Sequence, residues 1–170
     1  ADAVDRSSKF RVGISWTGGL KAGRVRTRSI PLAAWQSILN VSNVEFVSLQ
    51  YTDADAEIDA ANAKGYKIQK RTEAKAHDYY ETAQLVASCD LVISCCTSVV
   101  HLAGALGVTC WVMVPNKPAW RYGVSGGMPW YRSVRLYRQP KGDVEAWRSV
   151  VELVAMHLDE KLNSRIQRVA

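Results

Sequence analysis

The sequence lacks several features, and each absence removes a class of function. No apolar run reaches the roughly 18 residues that a membrane-spanning helix requires. The first residues, Ala1 to Arg6, hold no apolar core and do not read as a secretory leader. The chain opens on Ala1 rather than Met, and so reads as a piece of a longer protein. Cysteine is sparse. Cys89, Cys95, Cys96 and Cys110 contain no C-x-x-C pair, which removes the common zinc and thiol-redox motifs. Cys95 and Cys96 are adjacent and point to opposite faces of a strand, so they make poor partners for each other. The four read as reduced thiols of a cytoplasmic protein. Neither the G-x-x-x-x-G-K-[ST] phosphate loop nor the G-x-G-x-x-G dinucleotide loop occurs.

What is present is an ordinary globular composition. The 170 residues are 48% hydrophobic and 22% charged, enough for one domain with a real core. The formal net charge is +6, from 22 Lys and Arg against 16 Asp and Glu. That excess is focused: Lys21, Arg24, Arg26 and Arg28 crowd one short segment with no acid among them, and Arg132, Arg135 and Arg138 form a second group. A focused cluster beside a glycine pair suits a small polyanion better than a long nucleic-acid track, so no nucleic-acid partner is expected.

Apolar runs alternate with amphipathic ones of helix length. Strands are predicted at Phe10–Trp16, Glu45–Leu49, Tyr66–Ile68, Asp90–Ser94, Thr109–Val114 and Val134–Tyr137. Helices are predicted at Leu32–Leu39 behind Pro31, Ala54–Ala63, Tyr79–Ser88 capped by Asp78, Thr97–Leu106 ended by Gly107, and Val144–Leu158. This alternation implies βαβ units. The expected fold is an α/β, Rossmann-like three-layer domain with a mostly parallel sheet of about six strands. Residues 10–158 are assigned to it, with 1–9 as an N-terminal tail or linker and 159–170 as a C-terminal tail. Asn116–Arg132, rich in Gly, Pro, Trp and Tyr, reads as a long loop, and such loops usually carry function.

In a parallel sheet, ligands bind where the strands end and helix N-termini point their free N–H groups. Two segments there carry chemistry. Trp16-Thr17-Gly18-Gly19-Leu20-Lys21 leads to Arg28-Ser29-Ile30-Pro31, so glycines that allow close backbone approach are followed by cations. In the second, the strand ending at Ser94 runs into Cys95-Cys96-Thr97-Ser98, and His101 lies one turn into the following helix on the face of Thr97. Hydroxyls and backbone N–H groups at that dipole end suit a phosphate.

The strings DLVISCCTSVVHLAGALGV, WVMVPNKPAWRYG and MPWYRSVRLYRQ, preceded in order by VGISWTGG, RSIPL and FVSLQ, resemble the C-terminal domain of bacterial glycosyltransferases attached to tetratricopeptide repeats. Those proteins are similar to the lipopolysaccharide heptosyltransferases and, more distantly, to O-GlcNAc transferase. The resemblance covers roughly Phe10 to Leu158. It implies a metal-independent GT-B glycosyltransferase in which this half holds a nucleotide diphosphate sugar, with no further cofactor. The acceptor and the usual base belong to an N-terminal domain missing from these residues, so the isolated piece is expected to be inactive. Carried over, Thr97, Ser98 and His101 fall on the diphosphate turn and Arg28 against the phosphates. Thr17, Gly18 and Gly19 fall on the loop beside them, Asp78 and Tyr79 near the nucleobase, and Gln50 toward the ribose. Arg28 and His101 would stabilise the leaving diphosphate.

One position departs from the pattern. Cys96 stands where the family usually has an acid, just before the Thr. A thiol binds a sugar hydroxyl poorly. That favours an alternative, a degenerate nucleotide-binding or interaction module. A nucleotide-sugar epimerase shares the two-domain fold but needs acids in the cleft. With a helix N-terminus, His101 and Arg28 nearby, Cys96 is expected to be the most reactive of the four thiols. Trp120, Trp130 and Tyr131 are expected to border the cleft.

Overall fold

The computed structural model describes residues 9–18, 25, 27–71, 79–140 and 146–169. Among them six strands form one sheet: β1 (Phe10–Ser15), β2 (Val44–Ser48), β3 (Ile68–Gln69), β4 (Leu91–Ser94), β5 (Cys110–Val114) and β6 (Val134–Arg138). Their order is β3-β2-β1-β4-β5-β6, and every pairing is parallel. The connections hold a 3-10 turn (Leu32–Trp35) running into α1 (Gln36–Leu39), then α2 (Asp55–Asn62), α3 (Tyr79–Ala87), α4 (Ser98–Ala105), a 3-10 turn (Trp120–Tyr122) and α5 (Ala146–Val169). The expected fold class is therefore the one observed.

Alternation along the strands builds two cores, one per sheet face. Leu91 and Ile93 of β4 enter one, with Val12, Ile14, Trp111 and Met113; the helical residues Trp35, Ile38, Ile58, Val150, Val154 and Leu158 cover it. Val92 enters the other with Val47, Leu49, Val112 and Val114, under Leu85, Val86, Val99, Val100 and Ala103. Burying each large side chain contributes roughly 1.5–3 kcal/mol. Buried Trp rings also need their N–H satisfied. Trp16 donates to Glu57 at 2.8 Å and Trp35 to the Ile30 carbonyl at 3.0 Å.

Three elements differ from expectation. The helix expected over Leu32–Leu39 begins as a 3-10 turn. The third strand starts two residues later than Tyr66, where the Asn62 side chain brackets Ile68 by donating to its carbonyl (3.0 Å) and accepting from its N–H (2.9 Å). The last helix continues past Leu158 to Val169, because Leu162 extends its apolar stripe into the first core.

The chain winds outward from β1 to β3, returns to place β4 against the other side of β1, and winds outward again. The loops after β1 and β4 therefore diverge from a single topological switch point, the place where such sheets bind ligands.

Candidate functional site

Gly18 shows how closely the two switch-point loops meet. A Cβ built on it would lie 3.1 Å from the Cys96 carbonyl oxygen, 3.4 Å from Thr97 Cγ2 and 3.5 Å from the Arg28 carbonyl oxygen. Any side chain there would wedge the loops apart. The Gly18 N–H donates to Ser29 Oγ at 3.1 Å, and Ser29 in turn donates its N–H to the Val25 carbonyl, closing a helical turn that ends beside Arg28. Thr17, Gly18 and Arg28 are thus brought to Cys96 and Thr97.

Gln50 holds this corner from behind. Its Oε1 accepts from Ser15 Oγ (3.3 Å) and from the N–H groups of Trp16 (3.1 Å) and Thr17 (3.2 Å). Its Nε2 donates to the Thr17 carbonyl and to Thr52 Oγ1, both at 3.0 Å. The residue is 1% exposed, and its amide is engaged on both ends within the loop.

The turn into α4 is equally tight. Thr97 N–H donates to the Cys95 carbonyl at 2.8 Å. Ser94 Oγ donates to the same carbonyl at 2.7 Å, so Thr97 Oγ1, 3.0 Å from Ser94 Oγ, donates inward to it. Thr97 is the N-cap residue, yet its side chain makes no capping hydrogen bond. The first-turn N–H groups of α4 have no partner within the helix and no Thr97 cap, which is the arrangement that receives an anion. Ser98 is exposed at that turn.

His101 lies one turn in, with its ring centroid 6.0 Å from Tyr122 and 5.9 Å from Tyr131. Its Nε2 is buried without a hydrogen-bond partner. Burial, and then the nearby Arg121 charge, hold its pKa below the usual histidine range. Both causes favour the neutral imidazole over the charged form. Tyr131 rests directly on α4: a Cβ at Gly104 would fall 2.4 Å from Tyr131 Cγ, so only glycine lets the ring lie there.

Cys96 corrects an expectation. It is 3% exposed, with its thiol 3.9 Å from the Met113 carbonyl. Burial pushes its pKa up to about 12, outweighing the Tyr122 hydroxyl and the charges of Arg28, Arg121 and Arg138, which act the other way. Burial also raises Cys89 to about 12 and lifts Cys95 and Cys110. Desolvation of the thiolate wins over the helix dipole, so Cys96 is not singled out as a nucleophile.

The other expected residues are less connected. Tyr79 opens α3 and is 56% exposed. Asp78 and Gly19 lie outside the described residues. Of the loop aromatics, Trp120 and Trp130 are 81% and 57% exposed and meet edge to face at 6.1 Å, while Tyr131 is half-buried.

Three residues of this region were not picked out as site residues from sequence: Arg121, Tyr122 and Arg138. Tyr122 is wholly buried, and no well-formed hydrogen bond reaches its hydroxyl, although Cys96 and Arg121 both lie beside it. Arg138, at the end of β6, donates to the carbonyls of Tyr122 (2.6 Å), Gly123 (3.0 Å), Ser125 (3.3 Å) and Gly126 (3.1 Å). It fixes the loop that carries Tyr122 to His101. The metal-independent reading takes the chain to hold no D-x-D string, yet one is present. Asp53-Ala54-Asp55 is a D-x-D sequence, but Asp53 Oδ1 accepts the Asp55 N–H at 3.2 Å at the start of α2, a helix-initiating turn.

No family model matches the chain. Among curated proteins it is 34% identical over 131 residues to Protein FlbA of Caulobacter vibrioides, covering 75% of this chain and 22% of FlbA. Among solved structures it superposes on E. coli heptosyltransferase WaaC with ADP at a TM-score of 0.68 and 14% identity, over 91% of this chain and 45% of that one. The same enzyme with ADP-2-deoxy-2-fluoro heptose gives 0.62 and 14%, over 92% and 44%. The E. coli ADP-heptose lps heptosyltransferase II gives 0.59 and 15%, over 91% and 48%. The chain thus spans less than half of the structures it matches and about a fifth of FlbA. The fold is the Rossmann-like α/β fold found within these heptosyltransferases of GT-B architecture.

Proposed function

We propose that this chain is the donor-binding half of a metal-independent glycosyltransferase and grips the diphosphate of a nucleotide sugar at the β1/β4 switch point. The observation that carries the reading is the meeting of Arg28 and the Thr17–Gly18 loop with the uncapped start of α4. Support comes from the structural neighbours, solved with ADP and with an ADP-heptose analogue.

The chemistry follows from charge. Breaking the anomeric C–O bond loads negative charge on the leaving diphosphate. Arg28 and the first-turn N–H groups of α4 are fixed donors for that charge before the bond breaks. His101 enters neutral, as a hydrogen-bond partner, and gains basicity once an anion is close. Thr97 frames the turn through Ser94, and its N–H neighbours do the binding. Tyr79 and Asp78 are assigned to the base, and the Gln50 clamp supports the loop assigned to the ribose.

The acceptor and its base belong to an N-terminal domain outside these residues, in a cytoplasmic protein that also carries tetratricopeptide repeats. By itself the chain binds donor and does not turn over. Calorimetry with ADP, UDP and GDP against their nucleosides tests the proposal. At least one diphosphate should bind, and Arg28→Ala should weaken it far more than its nucleoside. Equal losses would reduce Arg28 to a surface charge.

The buried thiol of Cys96 favours a second reading, a nucleotide-binding module without transferase activity. Assay of the full-length protein with a nucleotide-sugar panel separates the two.

A further inference from the structure

Arg121 occupies the 3-10 turn Trp120–Tyr122, and that turn is held from several directions. Trp130 Nε1 donates to the Arg121 carbonyl at 3.0 Å, Arg138 holds the Tyr122 carbonyl, and the Tyr122 ring is buried beside His101. The Arg121 guanidinium carbon lies 5.4 Å from the Tyr122 ring centroid. Its Nε is buried with no hydrogen-bond partner. A desolvated guanidinium N–H left without an acceptor is unfavourable, and an anion would remove the penalty.

The loops around it supply no such anion. No Asp or Glu occurs between Asp5 and Glu45, nor between Asp90 and Asp143. Those two stretches contain all three loops after β1, β4 and β5. Arg138 differs, because backbone carbonyls already receive its donors. Among the described residues, the charges of Arg28 and Arg121 both act on Cys96, just before the Thr97 cap of α4. Arg28 follows β1 and Arg121 follows β5, the two strands that flank β4 in the sheet.

We infer that Arg121 is a second cationic ligand of the anion held at the start of α4, and that together with Arg28 it makes the site select a diphosphate over a monophosphate. The inference rests on the donor-site reading above. Its physical basis is spacing: two guanidinium forks from separate loops match two linked phosphates, whereas one phosphate presents its charge in one place.

The test uses the whole 170-residue chain. The tightest binder among ADP, UDP and GDP is compared with its own monophosphate and nucleoside, and inorganic pyrophosphate with phosphate, in wild type, Arg121→Gln and Arg121→Lys. In Arg121→Gln the diphosphate and pyrophosphate should weaken about tenfold or more, with monophosphate and nucleoside changing less than about threefold. Arg121→Lys keeps the charge without the fork and should fall between. If circular dichroism shows Arg121→Gln unfolded, the Lys variant decides, and unchanged diphosphate affinity there overturns the inference. So does an equal loss for diphosphate and monophosphate, or no loss for either, in a wild type that binds diphosphate. A wild type that binds none of the three diphosphates overturns the donor reading itself, and this inference with it.

Discussion

At the N-terminal ends of the central strands, charges meet opposite charges. Arg11 on β1 sits across from Glu45 on β2 at 3.1 Å, and it also donates to Ser88 Oγ at 3.3 Å. Asp90, just before β4, accepts the Arg11 N–H at 2.9 Å and lies 3.7 Å from Arg165 of α5. Burial works to raise the Glu45 carboxyl, yet the hydrogen bond and charge of Arg11 bring it below its ordinary range. At the opposite ends of β1, β4 and β5, Arg28 and Arg121 stand in loops without a single acid. One end of the sheet is complete in itself. The other leaves its loop cations without acids in the same loops, and that asymmetry is what the proposed donor site rests on.

The sharpest way to break this comparison is to remove a cation at each end. Arg28→Ala should cost about 1.5–3 kcal/mol in nucleoside diphosphate binding and leave the urea midpoint of the ligand-free chain unchanged or raised. A clear drop in that midpoint would make the Arg28 end structural after all. Next in size is Gly104→Ala. Alanine gains roughly 1 kcal/mol of helix propensity, but its Cβ meets the Tyr131 ring, and overpacking of that kind costs about 1–3 kcal/mol. A net loss of stability is expected, together with faster proteolysis within Asn116–Tyr131. A more stable, equally protected chain would show that the ring yields freely. Arg11→Ala should then lose less than about 1 kcal/mol of stability, with the effect fading in high salt and nucleotide affinity untouched.

The smallest expected effect is a pH dependence. His101 in the free chain has a lowered pKa, from burial and then Arg121. A bound diphosphate brings negative charge near it and raises that pKa, so binding takes up a proton. Affinity should therefore increase as pH falls from 8 toward 6, and His101→Gln should flatten the increase. An affinity that falls on acidification in wild type alone would reverse this assignment.

Much of the fold was legible because buried parallel strands are apolar on both faces. Leu91–Ser94 and Cys110–Val114 could hardly be read otherwise. Glycine and aromatic residues likewise marked the loop after β5. The chemistry of Cys96 was misread, because a cation-rich neighbourhood is visible in sequence while the depth of a side chain is not. The roles of Arg121 and Arg138 were hidden for a related reason. Arg138 acts on backbone carbonyls, which leave no trace in residue identity, and Arg121 stands out only once β5 is known to flank β4. The end of α5 was missed because its last apolar anchor, Leu162, stands among charged residues.

Arg138 has one further consequence. A carbonyl oxygen is the same in every residue, so the guanidinium that gathers Tyr122, Gly123, Ser125 and Gly126 sets the path of the loop, and only Gly123 and Gly126, at φ of 61° and 71°, are tied to their letters by that path. Val124 projects from that path at 89% exposure, and Ser125 is exposed beside it. Their side chains are free to change while the backbone beneath them keeps its shape. The rim near the proposed site can therefore be rewritten at these two positions without disturbing the anchor below, a division between frame and text that a loop held by its own side chains does not have.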